Sequence, residues 1–182
     1  MAIKFHESTK EFHLYNEQTS YIIRVLENGQ LGHVYYGKHI TDKEDFGYLI
    51  EYARRDMAPY PFEGNSTFSL EHLKQEYPTF GSGDTRYPAF ELEREDGSRT
   101  VDFKYKRHEI FKGKKGIEGL PAVYVESEEE ADTLEIVLED KLIHTQILLS
   151  YTIFKDIPVI TKHVRFSCEH SEGITLLNCM SG

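Results

Sequence analysis

Alternation of apolar and polar residues with period two is the feature that most constrains how this chain can fold. After Thr133, apolar residues recur at every second position, 134, 136 and 138, and residues 142–154 repeat the pattern with Ile143, Ile147, Leu149, Tyr151 and Ile153 on one face. Successive side chains of a β-strand point to opposite faces, so this pattern predicts half-buried strands. No helical pattern longer than about two turns is present. The sequence therefore predicts one all-β domain over residues 1–182.

Two hairpins are predicted from pairs of turn residues. Asn28-Gly29 separates strand-like residues 21–25 and 31–36, and Asp96-Gly97 separates 90–94 from 101–105. Asn-Gly and Asp-Gly favour tight type I′ turns, because both central residues must adopt positive φ. Each pair is therefore expected to join two antiparallel strands.

The stretch from residue 68 to 90, FSLEHLKQEYPTFGSGDTRYPAF, fits neither a strand nor a long helix. We call it the central stretch. Ser69 can cap one helical turn that carries Leu70 and Leu73, and Pro78 ends it. Gly81 and Gly83 then permit a shaped loop, and an ordered loop rich in rings and acids often carries function.

The acids of the central stretch support two interpretations. Glycoside cleavage needs two carboxylates at a defined separation, which Glu71, Glu76 and Asp84 could supply. Alternatively, these carboxylates accept hydrogen bonds that fix the loop, with Arg86 as a local partner. Taken alone, the residues favour the second interpretation.

Composition excludes several other functions. The net charge of −10, from 31 acids and 21 bases, argues against nucleic-acid binding. Nine histidines show no metal-binding spacing, and Gly81-Ser82-Gly83 is not a nucleophile elbow, so neither a metal, a cofactor nor a catalytic triad is expected. Two cysteines, Cys168 and Cys179, are expected to be buried free thiols in a reducing cytosol. Neither a signal peptide nor a membrane span is predicted.

Four segments, LGHVYYGK (31–38), residues 68–92, GLPAVYVESEEEADTLEIVLED (119–140) and YTIFKDIPVITKHVRF (151–166), resemble the N-terminal domain of bacterial α-galactosidases of glycoside hydrolase family 36. The resemblance implies a mostly antiparallel, galactose-mutarotase-like β-supersandwich. It also implies a longer retaining enzyme that releases terminal α-galactose from melibiose or raffinose. Both catalytic aspartates of the family lie in its (β/α)₈ barrel, so this chain is expected to hold no catalytic residue and to be inactive alone. Glu76, Tyr77, Asp84 and Arg86 are then a structural loop.

The resemblance also suggests a rim for the galactose site. Relatives carry an Asp-Arg pair where this chain has Arg54-Arg55-Asp56, and Ser66 stands where an arginine is expected. Arg55, Asp56 and Glu63 are the rim candidates.

The expected partners are α-galactosides, the enzyme's own barrel and further copies of the chain. Because the sequence stops directly after a strand-like run, a truncated sandwich is expected. The alternative function is a stand-alone galactoside-binding module without hydrolytic activity, which would use the aromatic loop 60–90.

Overall fold

The computed structural model describes residues 2–54, 57–81, 83–117, 119, 123–168 and 173–180. Within them the chain forms antiparallel β-sheets, which confirms the predicted all-β class. The strands are β1 Ile3–His6, β2 Glu11–Tyr15, β3 Thr19–Val25, β4 Leu31–Lys38, β5 Phe90–Arg94, β6 Lys104–Lys112, β7 Ala131–Asp140, β8 Thr145–Phe154, β9 Ile160–Cys168 and β10 Ile174–Cys179. Two short 3₁₀ helices, Gly47–Leu49 and Glu128–Glu130, interrupt the connections.

The strands form three sheets. The first has the order β1-β2-β3-β4, the second pairs β10 with β5, and the third has the order β6-β7-β8-β9. One apolar core joins all three sheets, as expected for a β-sandwich. Its fully buried members include Phe12, Leu14 and Ile23 from the first sheet, Phe90 from the second, and Leu134, Ile136, Ile147 and Ile153 from the third.

The β7–β8 hairpin follows the predicted alternation, with a later start to its second strand. Ile143, Ile147, Leu149, Tyr151 and Ile153 are all buried, as predicted. Leu142, however, lies in the turn and is 76% exposed, and β8 begins only at Thr145. The turn is held by Asp140, whose Oδ1 accepts the Leu142 amide at 2.9 Å and whose Oδ2 accepts the Asp102 amide at 2.7 Å.

The two predicted turns exist, but neither is of type I′. Gly29 and Gly97 have φ of 86° and 77°, whereas Asn28 and Asp96 keep negative φ. In each turn the glycine amide donates to the carbonyl three residues earlier, Leu26 or Arg94. This is the three-residue hairpin loop, in which one glycine supplies the left-handed position. Only the glycine of each pair therefore needs positive φ.

The predicted hairpin of residues 90–105 is wrong in its pairing. The turn at Gly97 is present, yet β5 pairs with β10, and β6 begins a different sheet at Lys104. Val101 and Phe103 are buried in the core without belonging to a strand. A turn signal is local, whereas the choice of partner strand depends on contacts about 80 residues away in the chain.

The central stretch forms one turn and then runs along the outer edge of β4. The Ser69 carbonyl accepts the Leu73 amide at 3.2 Å, which closes the predicted single turn. The stretch then bonds to β4: the His33 amide donates to the Lys74 carbonyl at 2.9 Å, and the Glu76 amide donates to the Leu31 carbonyl at 2.9 Å. These backbone bonds fix the position of Glu76.

Described residues from 39–54 and 57–73 pack on the outer face of the first sheet. Phe46 is fully buried there, and its amide donates to Glu11 Oε2 at 2.9 Å. A second, smaller apolar cluster contains Leu26, Phe68, Leu70 and Leu73. Both faces of the two middle strands, β2 and β3, are therefore largely buried. This explains why apolar and polar residues of β2 are equally inaccessible to solvent.

A run of glutamates at positions 126, 128, 129 and 130 precedes β7, and it and the two cysteines have defined positions. Residues 126–130 are exposed, as a solvated loop should be, and Ser127 caps the short helix with Glu130 in a capping box. Both cysteines are free thiols, as expected, but Cys179 is exposed and Cys168 is half-buried, which corrects the expectation that both are buried.

Candidate functional site

A buried carboxylate lies where the central stretch meets β3, β4 and β9. The Glu76 side chain is 1% exposed. The Tyr21 hydroxyl lies 2.7 Å from both of its oxygens, Lys162 Nζ lies 2.8 Å from Oε1, and His33 Nδ1 lies 3.1 Å from Oε2. Lys162 also donates to the Tyr21 hydroxyl at 2.5 Å. Both Glu76 oxygens and the Tyr21 hydroxyl therefore have hydrogen-bond partners, as burial requires.

These contacts keep Glu76 ionised. Burial alone raises the pKa of a carboxyl, but here the His33 hydrogen bond, the Lys162 charge and the Tyr21 hydroxyl outweigh it and lower the pKa of Glu76. Burial, followed by the neighbouring Glu76 charge, raises the pKa of Tyr21 above its ordinary value. The site at neutral pH is thus an ion pair bridged by a neutral tyrosine.

Two aromatic rings support the ammonium group of Lys162. Its Nζ lies 4.6 Å from the centroid of the Tyr21 ring and 5.4 Å from that of Tyr151. A cation above an aromatic face is stabilised by the ring quadrupole. Lys162 is therefore held in one place by charge, hydrogen bonds and ring contacts together.

Beside this network lies an open cleft. A cavity of about 340 Å³ is lined by Tyr21, His33, Tyr36, Gln75, Glu76 and Lys162, with Ile160 at one side. A second cavity of about 380 Å³ shares His33 and Gln75 and extends to Lys74, Pro78, Arg86 and Tyr87. We call the two together the Glu76 cleft.

The far end of the Glu76 cleft is built on Asp84 and Arg86. Arg86 Nη2 donates to Asp84 Oδ2 at 2.8 Å and to the carbonyls of Leu70 and Leu73 at 2.7 and 2.8 Å. Burial raises the pKa of Asp84, but the hydrogen bonds from Arg86 outweigh it, so the pKa of Asp84 is lowered overall. These bonds join the two halves of the central stretch around its glycines.

Tyr77 connects the central stretch to the second sheet. Its hydroxyl donates to the Met180 carbonyl at 2.7 Å and lies 3.6 Å from Cys179 Sγ. Its ring stacks on Phe90, with centroids 5.4 Å apart and an interplanar angle of 14°. Burial raises the pKa of the Tyr77 hydroxyl.

Only one of the three rim candidates, Glu63, lies among the described residues. Arg55 and Asp56 lie outside the described residues, and Glu63 is exposed on the loop that follows and does not line the cleft. Sequence reasoning missed Lys162, His33 and Tyr21 as partners of Glu76. The available signal was a lysine in the core-facing register of β9, between Ile160 and Val164.

A second polar network lies behind the first sheet. His13 Nδ1 lies 2.7 Å from Asp42 Oδ1, and His13 Nε2 lies 3.0 Å from the Ser20 hydroxyl. These distances match a Ser-His-Asp triad, but Ser20 and His13 are fully buried, so a substrate has no access to the hydroxyl. Burial raises the pKa of Asp42, yet hydrogen bonds from Lys4, His13 and His6 bring it down to about 2. The network is a buried structural contact.

A cavity of about 710 Å³ near the start of β7 is a weaker candidate. Its charged side chains, among them Glu17, Lys112, Glu129 and Lys155, are exposed to solvent. Flexible surface charges of this kind do not make a preorganised site.

Among the residues described, no helix is long and apolar enough to cross a membrane. Over the same residues, no group of three or more His, Cys, Asp or Glu side chains is arranged to hold a metal ion.

Comparison with known proteins gives consistent matches. The family model described as "Glycosyl hydrolase family 36 N-terminal domain" matches residues 29–182. The chain is 42% identical to alpha-galactosidase AgaA of Geobacillus stearothermophilus over 183 aligned residues, which cover 100% of this chain and 25% of AgaA. The chain thus spans about a quarter of the length of this relative.

Solved structures agree with the sequence matches. The crystal structure of the GH36 alpha-galactosidase AgaB from Geobacillus stearothermophilus superposes with a TM-score of 0.89 and 41% identity, covering 100% of this chain and 24% of AgaB. An AgaA variant from the same organism, in complex with raffinose, gives a TM-score of 0.87 and 42% identity over 94% of this chain and 24% of that one. The resemblance seen in the sequence is confirmed: this chain belongs to the family of glycosyl hydrolase family 36 N-terminal domains.

Proposed function

We propose that this chain is the N-terminal, non-catalytic β-sandwich domain of a longer retaining α-galactosidase. The proposal rests on the alignment with AgaA. The aligned residues are 42% identical and cover the whole of this chain but only 25% of AgaA. The parent enzyme hydrolyses terminal α-galactosides such as melibiose and raffinose, with both catalytic aspartates in a barrel beyond residue 182. Residues 1–182 form one domain, and its role is to support that barrel.

The Glu76 network and the Asp84–Arg86 pair make the central stretch rigid. In this proposal Glu76, Tyr77, Asp84 and Arg86 are structural residues rather than catalytic ones. A catalytic carboxylate must reach its substrate, whereas both Glu76 oxygens are already bonded within the protein. Arg55, Asp56 and Glu63 remain our candidates for the rim of the galactose site in the parent.

The exposed surface of the second sheet is consistent with a contact to a partner outside this chain. Among the described residues β10 pairs only with β5, and Leu176, Leu177 and Met180 are each 44% exposed. A strand that has one free edge and carries exposed apolar side chains is normally covered in the assembled protein. We assign that role to the parent's following domain and to contacts between copies in a homo-oligomer. The free thiols of Cys168 and Cys179 suit a cytoplasmic enzyme.

Two measurements test this function. The reading frame downstream of codon 182 should continue into a barrel with two carboxylate catalysts. The 182-residue chain alone should release no p-nitrophenol from p-nitrophenyl α-galactoside, while the parent should do so. Enzyme-like turnover by the isolated chain would overturn the proposal, and so would a natural stop codon after residue 182.

A further inference from the structure

We propose that the Glu76 cleft is itself a binding site for a neutral, polyhydroxylated ligand of monosaccharide or disaccharide size. This inference concerns residues of this chain and does not depend on the parent's reaction. A domain that supports a barrel can also hold sugar on its own surface. The cleft's charge, its polar groups, its exposed rings and its volume each support this ligand class.

The charges in the cleft are paired, which favours a neutral ligand over an anion. Lys162 lies 2.8 Å from Glu76, and Arg86 lies 2.8 Å from Asp84. Lys74, at the rim, is the one remaining lysine of the lining, and its ammonium has no ion pair among the described residues. A single exposed ammonium gives little attraction for a phosphate or carboxylate at physiological salt.

The polar groups of the cleft are preorganised and offer both donors and acceptors. Lys162 and His33 side chains are each 27% exposed, so they face both Glu76 and the open cleft. His33 uses Nδ1 toward Glu76, which leaves Nε2 for a ligand. A sugar hydroxyl donates and accepts at once, so it suits a lining that mixes an imidazole, an ammonium and the Gln75 amide.

Exposed tyrosine rings stand at both ends of the cleft. Tyr36 is 57% exposed, and its ring contacts the buried Tyr21 ring at a centroid distance of 5.4 Å. Tyr87 is 69% exposed, and its hydroxyl accepts a hydrogen bond from Asn178 Nδ2 at 2.8 Å. Each ring is therefore held in place while most of its surface faces solvent. The apolar face of a pyranose ring packs against such surfaces.

The volume fits the proposed ligand size. The two cavities, about 340 and 380 Å³, share His33 and Gln75 in their linings and are therefore neighbours. Each lies near the lower limit of known small-molecule pockets, which run from about 300 to 1,000 Å³. One cavity can take one sugar ring, and the two together can take a disaccharide.

The test is a titration of the ¹⁵N-labelled chain with melibiose and maltose, each to about 50 mM, followed by amide chemical shifts. We expect saturable shifts with a Kd in the range of about 1 to 10 mM, as for a shallow site with few contacts. The shifts should centre on residues 33–36, 74–76 and 160–164. Tyr36→Ala should weaken binding at least about fivefold, because it removes an aromatic contact.

The matched control is Tyr124→Ala, since Tyr124 is 77% exposed but does not line the cleft. This variant should bind as the unmodified chain does. The proposal is overturned by any of four results: no saturable shift with either sugar, shifts centred elsewhere, equal loss in both variants, or saturable binding of inorganic phosphate alone. If Tyr36→Ala fails to fold, the amide chemical-shift changes of the unmodified chain still show whether sugar binds at the Glu76 cleft. Failure here would leave the reading-frame test of the α-galactosidase domain unaffected.

Discussion

Lys162 Nζ lies 2.8 Å from Glu76 Oε1 and joins two parts of the chain that are 86 residues apart in sequence. Lys162 belongs to β9 of the third sheet, and Glu76 belongs to the central stretch that runs along β4 of the first sheet. The ion pair therefore bridges the two main sheets at their open edge. The Glu76 carboxylate is almost fully buried, so the stability of the fold depends on the hydrogen bonds and the ion pair that this carboxylate makes.

Lys162→Met is expected to destabilise the fold by about 2–3 kcal/mol, because it leaves the Glu76 charge buried without its cation. His33 and Tyr21 remain as hydrogen-bond partners, which keeps the loss below that of a fully isolated charge. Urea unfolding of the variant measures this change. Combining Lys162→Met with Glu76→Gln should recover part of the loss.

The control for the ion pair is Lys112→Met, because Lys112 and Glu129 form a pair that is exposed on both sides. No measurable change in stability is expected from it. Equal destabilisation by the two lysine variants would contradict a special role for the buried pair.

Leu149→Ala is expected to cost about 2–5 kcal/mol, since Leu149 is 2% exposed in the core and its removal leaves a cavity. Leu142→Ala, in the turn that precedes the same strand, is the matched control, because Leu142 is 76% exposed. Thermal unfolding followed by circular dichroism compares the two. Similar melting temperatures for both variants would mean that the register of β8 is misplaced.

Gly29→Ala and Gly97→Ala separate backbone strain from side-chain contact. Both glycines have positive φ, but a Cβ at Gly29 would lie 3.2 Å from Lys104 Cγ, whereas one at Gly97 would meet nothing within 4 Å. Each variant should lose about 1 kcal/mol from its φ, with Gly29→Ala losing slightly more.

Gly116→Ala serves as the control for the glycine pair, because Gly116 lacks positive φ and its Cβ would meet open space. Its stability should be unchanged or slightly raised. Chemical denaturation of the three variants under one buffer condition gives the comparison. A neutral result at both Gly29 and Gly97 would rule out the three-residue loop geometry.

The Asp42 network predicts a specific acid dependence. The folded pKa of Asp42 is about 2, below the value of roughly 3.9 expected in the unfolded chain. A depressed folded pKa contributes stability above the unfolded pKa and loses it as pH falls through the folded one. Asp42→Asn should therefore make the free energy of unfolding less dependent on pH between about 4 and 2.

Asp45→Asn is the control, because Asp45 is 65% exposed and its ion pair with Arg24 is long, at 3.7 Å. The hydrogen bond that Asp45 Oδ1 accepts from the Gly47 amide at 2.7 Å can be kept by the asparagine oxygen. It should keep the acid dependence of the unmodified chain. Urea titrations at a series of pH values measure both. If the free energy of unfolding of Asp42→Asn depends on pH as strongly as that of the unmodified chain, the hydrogen bonds from His13 and Lys4 to Asp42 do not stabilise the folded state.

Much of the fold could be predicted because its determinants are local. The alternation in β7 and β8 marks their buried faces, and Gly29 and Gly97 mark turns that the structure contains. The pairing of β5 with β10 could not be predicted in the same way. The Asp96-Gly97 turn suggests a local hairpin, whereas the strand that pairs with β5 comes from the far end of the described chain, at Ile174–Cys179.

The candidate site was predictable only in part, for a related reason. Glu76, Asp84 and Arg86 stand close together in sequence, so their association in one loop could be foreseen. Lys162 and His33 reach Glu76 only after three separate elements have packed. Nothing near Glu76 in the sequence indicates that its charge will be balanced from β9.

The hydrogen-bonded side chains of Ser20, His13 and Asp42 have a consequence for the assignment of enzymatic activity from geometry. A search for hydrolases that compares only interatomic distances would select these three residues, and would miss that solvent never meets the hydroxyl. Here the same spacing serves to bind a covering segment to the back of a sheet. In β-rich scaffolds, accessibility of the nucleophile is therefore as diagnostic of an esterase or protease as the arrangement of its three side chains.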